Sequence, residues 1–304
     1  MSTENNKPSI KGSKENIKIA PTLIVFAVAS IVGIVIRYIQ TLKFIDPSTG
    51  FTTGGTVLSI ILYALIVVAS LFICITSFLS ADSKKIAIGE STHKLAAIGT
   101  RLFAISLLGD AYYCLNQVIY NSGTALAYTN PMKNGSLPMT LQGIFALVSA
   151  IYLFILASDF SKGTAKAYKR KFLATAPVFW AGARLIYRFL RQISFIEVSD
   201  LLLELVMVSF MIMFFMALAQ ISSGVYKDAF KWRIPGLGLS AALIASIISV
   251  PRMIVAVTAR ELVNHAHPFS LTDLLFVIFI VTLVVKIKED AKMPLPASAE
   301  EKAE

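Results

Sequence analysis

The sequence predicts an all-α integral membrane protein with eight transmembrane helices, and three observations carry that reading. Of the 304 residues, 56% are hydrophobic and only 15% charged, where an ordinary soluble domain carries about a quarter charged residues. The apolar residues gather into eight runs, each of about 20 residues and so able to cross roughly 30 Å of hydrocarbon as a helix. The basic residues are also sorted by side. With the runs drawn as spans, 19 of the 28 Lys and Arg fall on one face, only Lys43, Lys133 and Arg260 on the other, and six arginines within or at the ends of spans. This positive-inside pattern predicts a multi-pass protein of the cell membrane with both termini in the cytoplasm. The net charge of +10 therefore reports topology. The expected partners are the bilayer and a small solute, with no nucleic acid.

Residues 1–18, with Lys7, Lys11, Lys14 and Lys18 and no hydrophobic period, read as a disordered cytoplasmic tail. The first span, about 19–39, outruns the apolar core of a signal peptide and no small-x-small cleavage site follows, so it is expected to be retained. Turn chemistry (Asp46-Pro47, Thr49-Gly50, Gly54-Gly55) separates it from a second span at about 56–79. A loop with Lys84 and Lys85 leads to span three, about 95–119, and an outer loop of residues 120–137 to span four, about 138–158. The basic loop 159–171 divides this first half (19–158) from a second half (172–287). Spans five (about 172–194) and six (about 199–222) form a tight outer hairpin, followed by spans seven (about 234–258) and eight (about 270–287) and a disordered tail, 288–304.

Eight spans with both ends inside allow a parallel four-plus-four duplication. Phe44-Ile45-Asp46 follows span one as Phe195-Ile196-Glu197 follows span five, which superimposes Arg37 on Arg188. Pro138-Met139-Thr140-Leu141 and Pro268-Phe269-Ser270-Leu271 open spans four and eight.

Charges inside the spans are the functional signal, because each is costly in hydrocarbon. Arg184, Arg188 and Arg191 share one helical face of span five, and Glu197, Asp200 and Glu204 share one of span six. Folding the hairpin at 195–196 sets Arg191 against Asp200 and Arg188 against Glu204, which reads as two structural ion pairs. Arg184 has no local mate, and Asp110 on span three, at similar depth, is the best candidate. Asp110 shares a face with Tyr113 and Gln117, while Arg101 lies on the opposite face near the inner end. Pro251 and Arg252 in span seven predict a kink that frees a carbonyl near Ile247. Arg184, Arg188, Glu204, Asp110, Arg252 and Arg37 are the candidate solute-binding residues.

Other motifs carry less. His265 and His267 near Glu261 lack a third ligand, so no metal is expected, and Ser270 with Asp273 reads as the N-terminal cap of span eight. His93 suggests nothing. Cys74 and Cys114 lie at different depths and are not expected to pair. Asn134 opens an Asn-Gly-Ser sequon in an outer loop. No catalytic set and no cofactor motif stands within the spans. The leading function is binding or transport of a small solute, an anion among the candidates, through an outward-opening charged cavity. The alternative is a sensor or scaffold subunit whose charges are structural, and the third reading is an enzyme acting on a lipid headgroup.

Overall fold

The computed structural model describes residues 20–44, 54–80, 91–122, 135–167, 170–190, 198–223, 231–258 and 270–290. The expected tail 1–18, residues 291–304, Arg191, Glu197, the side chain of Asp200, Asn134, Glu261, His265 and His267 lie outside the described residues, whereas Lys288, Glu289 and Asp290, expected to open the disordered C-terminal tail, continue the last helix. Among the described residues all regular structure is helical. The order is α1 (Ala20–Lys43), α2 (Thr56–Leu79), α3 (Lys94–Ser122), α4 (Ser136–Lys162), α5 (Ala176–Leu190), α6 (Val198–Ser222), α7 (Arg233–Thr258) and α8 (Leu271–Asp290). A single 3-10 turn, Leu173–Thr175, leads into α5.

Six of the eight helices are long and apolar enough to cross a membrane: α1, α2, α3, α4, α6 and α7. The other two depart for different reasons. The 15 residues of α5 rise about 22 Å at 1.5 Å per residue, short of the roughly 30 Å of a hydrocarbon core. Helix α8 has 20 residues but carries Asp273 in its first turn and Lys288 in its last, with Lys286 two residues before it. Outward faces are strongly apolar: Ile24, Val28, Ile31 and Val35 on α1, and Val57, Ile60, Val68 and Leu71 on α2, are all exposed. Water-soluble monomers rarely expose contiguous apolar patches beyond a few hundred Å². These helices are those of a membrane-embedded, multi-pass chain.

Helix neighbours define the architecture. α3 packs on α4, α4 on α5, α5 on α6, α6 on α7, α7 on α8 and α8 back on α3, closing a ring of six. The α1–α2 hairpin packs outside that ring, against α7. A four-plus-four duplication would give α3 and α7 equivalent surroundings, and theirs differ. α7 is buried on every side from Ile234 to Ser249, whereas α3 exposes Leu95, Ile98, Leu102 and Ile105. Small residues let α7 sit at the centre: Gly236, Gly238, Ser240, Ala241, Ala242, Ala245 and Ser246 allow backbones to approach. On α1 a Cβ at Gly33 would stand 2.5 Å from Ile247 Cδ1, so the two helices meet through a missing side chain. The helix continues through Pro251 to Thr258.

Aromatic side chains fill the ring. Phe103 of α3 lies between Phe215 of α6 and Phe279 of α8, parallel to both, with centroids 6.2 and 5.4 Å away. Trp180 of α5 meets Phe103 and Phe215 edge-on, each at 6.1 Å, and Phe276 meets Phe103 at 5.6 Å. Tyr152 of α4 is fully buried, and its hydroxyl lies 2.8 Å from Ser222 Oγ at the end of α6. The interior is a packed plug.

At the end where α3 begins and α4 and α8 finish, polar groups clasp the ring. His93 accepts the Ala96 N–H on Nδ1 at 3.1 Å, capping α3, which leaves Nε2 as the donor to Glu289 Oε2 at 2.7 Å. Lys286 is buried, bonded to Asp290 and 2.9 Å from Ser91 Oγ, with its ammonium 5.4 Å from the centre of the Phe160 ring. The neighbouring basic loop is ordered by buried Asp159, whose oxygens accept from Thr164 Oγ1 and the Ala167 N–H, both at 2.6 Å.

Candidate functional site

Short as it is, α5 carries the polar skeleton of the opposite end. Trp180, Arg184 and Arg188 stand at i, i+4 and i+8, so one helical face presents three long donors on successive turns. Each reaches a different helix. Trp180 Nε1 donates to Asp110 Oδ2 of α3 at 2.8 Å. Arg184 donates Nη1 and Nη2 to Oδ1 and Oδ2 of Asp273 on α8, at 2.6 and 2.8 Å. Arg188 Nε lies 3.3 Å from Glu204 Oε2 on α6, and Arg252 of α7 donates to Glu204 Oε1 at 2.5 Å. One face of one helix is thus tied to α3, α8 and α6, and through Glu204 to α7.

The expected pairing of Arg184 with Asp110 is corrected by this geometry. Arg184 is 5% and Asp273 3% exposed, and the two-pronged planar match of guanidinium to carboxylate is the strongest geometry open to a buried pair. Asp273 is therefore more than the cap residue read from the start of span eight. Both its oxygens accept from Arg184, and Trp180 lies beneath, with the guanidinium carbon 5.8 Å from the indole centroid. Asp110 is held by neutral donors instead: Trp180, and Gln142 Nε2 of α4 at 3.0 Å.

Between α3, α4, α5 and α8 a cavity of about 510 Å³ opens at the end opposite the clasp. Asp110, Arg184 and Arg188 line it, with Gln142, Tyr113, Tyr187 and Cys114. Ser106, Ser270 and Thr272 add hydroxyls, and Ile105, Met139, Leu271 and Leu275 give apolar walls. The other three candidates sit elsewhere. Glu204 and Arg252 stand behind Arg188, off the cavity lining. Arg37 is buried on α1, donating to Gln40 Oε1 at 3.0 Å, and Gln40 Nε2 donates to Ser59 Oγ of α2 at 3.2 Å. The Arg191–Asp200 pair lies outside the described side chains. Arg101 donates to Ser161 Oγ at 2.7 Å near the clasped end.

No protein-family model, curated protein or solved structure matches this chain. Its chemistry rests on its own residues.

Two charged groups on the cavity wall, Asp110 and Arg188, keep unused hydrogen-bonding capacity among the described residues, and a third, Gln142, keeps it closed off from the cavity. Asp110 forms no salt bridge, and its two hydrogen-bond donors leave lone pairs over. Gln142 is 5% exposed and its Oε1 has no donor. An ionised carboxylate only accepts, so the amide must turn its nitrogen toward Asp110 and its oxygen away. Arg188 Nε is 3.3 Å from Glu204 Oε2 as an ion pair, and no acceptor among the described residues bonds its two terminal nitrogens. Sequence reading passed over Gln142, Trp180 as a donor, and the His93 clasp. A lone Gln in an apolar span was the available signal for the first, since a buried amide has to be bonded.

Proposed function

We propose that this chain binds and translocates a small solute through the cavity between α3, α4, α5 and α8. Asp110, Arg184 and Arg188 line the path, and Glu204 with Arg252 positions Arg188. The observation that supports this most is the unspent hydrogen-bonding capacity of Asp110 and Arg188 in the cavity lining. A charge at the bilayer centre costs about 2.5–3.5 kcal/mol on insertion scales, and ion pairs that only hold helices together have no reason to leave donors and acceptors over. With the lysine-rich clasped end toward the cytoplasm, as the charge pattern implies, the cavity opens outward. The aromatic plug and the clasp then close the inner side, and both have to part for solute to pass.

Uptake into liposomes tests the reading. The purified protein, reconstituted and offered radiolabelled amino acids, organic acids and phosphate, should accumulate at least one of them above empty liposomes. Asp110→Asn and Arg188→Gln should each lower that uptake at least tenfold while the melting temperature in detergent stays within a few degrees of wild type. Absence of uptake across the panel, or undiminished uptake by both variants, would remove the transport reading.

A scaffold or sensor without translocation is favoured by a separate observation: the ladder on α5 joins four helices, with Trp180, Arg184, Asp273 and Glu204 buried. That reading expects both variants to melt early, and expects ligands to leave the melting temperature unchanged.

A further inference from the structure

The cavity wall is not uniformly charged, and its two ends ask for different partners. On the α3–α4 side is an acceptor, the Asp110 carboxylate, without a salt bridge among the described residues. On the α5 side are donors, the two terminal nitrogens of Arg188. Arg184, between them in the lining, has its charge answered by both oxygens of Asp273. A simple anion would answer Arg188 and leave the Asp110 carboxylate without a cation, while a simple amine would do the reverse. A ligand lacking either half forgoes one of the two charge-assisted contacts and so binds more weakly. The remaining walls at this depth, Ile105, Met139, Leu271 and Leu275, are apolar.

Resting on the reading of this cavity as a solute site, we infer that the ligand is a primary-amine zwitterion with an apolar body. Its ammonium donates to Asp110, its acid group accepts from Arg188, and its body lies against the apolar wall. The amine must carry N–H bonds, because the Asp110 carboxylate still has lone pairs to fill; a trimethylated amine offers none. The cavity of about 510 Å³ falls within the roughly 300–1,000 Å³ of small-molecule sites. A free amino acid with an apolar side chain has this chemistry, and so does the aminoethyl phosphodiester headgroup of a lipid.

Calorimetric titration of the wild-type protein in detergent decides it, with leucine, 4-methylpentanoate, 3-methylbutylamine, N-trimethylated leucine, potassium sulfate and short-chain phosphatidylethanolamine as probes. Leucine or the phosphatidylethanolamine should bind saturably, and whichever binds identifies the source of the zwitterion. The acid, the amine, the trimethylated form and sulfate should each bind at least tenfold more weakly. Location is read from fluorescence. The chain has two tryptophans, and in a Trp232→Phe protein the remaining Trp180, bonded to Asp110, should respond to the same ligand. Asp110→Asn should erase the preference for leucine over 4-methylpentanoate, and Arg188→Gln the preference over 3-methylbutylamine. Gln142→Leu, which removes a donor that orients Asp110, should weaken amine binding and leave the acid alone. Sulfate or 4-methylpentanoate binding as tightly as leucine would overturn the inference and leave a solute site standing. No heat from any probe would overturn it too, and binding without uptake would keep the zwitterion and remove translocation.

Discussion

Arg184 shows what a single buried charge requires. Its guanidinium is matched at both prongs by Asp273, 89 residues away in the chain. Removing one member leaves the other charged, buried and unanswered, at a cost of about 3–5 kcal/mol. Arg184→Ala should therefore melt far below wild type or fail to leave the membrane as a monodisperse protein. Arg184→Met combined with Asp273→Leu should recover most of that loss, since an apolar pair of similar volume is often as stable as the ion pair. A double variant no more stable than Arg184→Ala would show that the pair does more than neutralise itself. The same residue marks the limit of sequence reading. Hairpin arithmetic sets Arg188 against Glu204, and their atoms are 3.3 Å apart, because only a short turn intervenes. No such arithmetic reaches from α5 to α8. Asp273, in the first turn of its helix, satisfied the pattern of a cap and so dropped out of the list of partners. A first-turn carboxylate can also be the deepest acidic group of its helix, and only the packing of α8 near α5 decides between the two roles.

At the scale of helices, close approach matters more than apolarity. α1 and α7 read alike as hydrophobic runs, yet one faces lipid and the other is buried on every side. The distinguishing signal is residue size, with glycine, alanine and serine concentrated on α7. Van der Waals contact between backbones is a main source of helix association where no water is displaced. Gly99 makes this testable. A Cβ there would collide with Thr282 of α8, whose Oγ1 is fixed on the Ile278 carbonyl at 2.9 Å. Gly99→Ala should force α3 from α8 and cost about 1–3 kcal/mol, the usual range for overpacking. Gly182 on α5 has nothing within 4 Å of the same position, so Gly182→Ala should be neutral or gain up to about 1 kcal/mol from helix propensity. Equal melting temperatures for the two alanine variants would argue against tight α3–α8 contact. The existence of the helices was legible from run length, and α5 was legible as a charged face. Its place as the hub of four helices was not, because that depends on what surrounds it.

The molecule as a whole has two unlike ends, and that asymmetry joins fold to function. The six-helix ring is clasped by His93, Glu289, Lys286 and Asp290 at one end and open as a cavity at the other, with aromatic side chains between. Sequence could supply the sorting of lysines by side, because charge acts on topology loop by loop. It could not supply the ring, because the closure of α8 on α3 joins segments that no local pattern links. Orientation follows from the first of these and can be measured independently of any ligand. Phe172 stands fully outward at the clasped end, just before α5, and Tyr120 is well exposed at the cavity end of α3. In a protein with Cys74→Ser and Cys114→Ala, a membrane-impermeant maleimide should label Tyr120→Cys on intact cells and Phe172→Cys only after permeabilisation. The reverse pattern would turn the cavity toward the cytoplasm, making the same residues a site for export or for an internal ligand. Labelling of both from one side would break the ring assignment itself, since α3 and α5 place these two positions at opposite ends of the bundle.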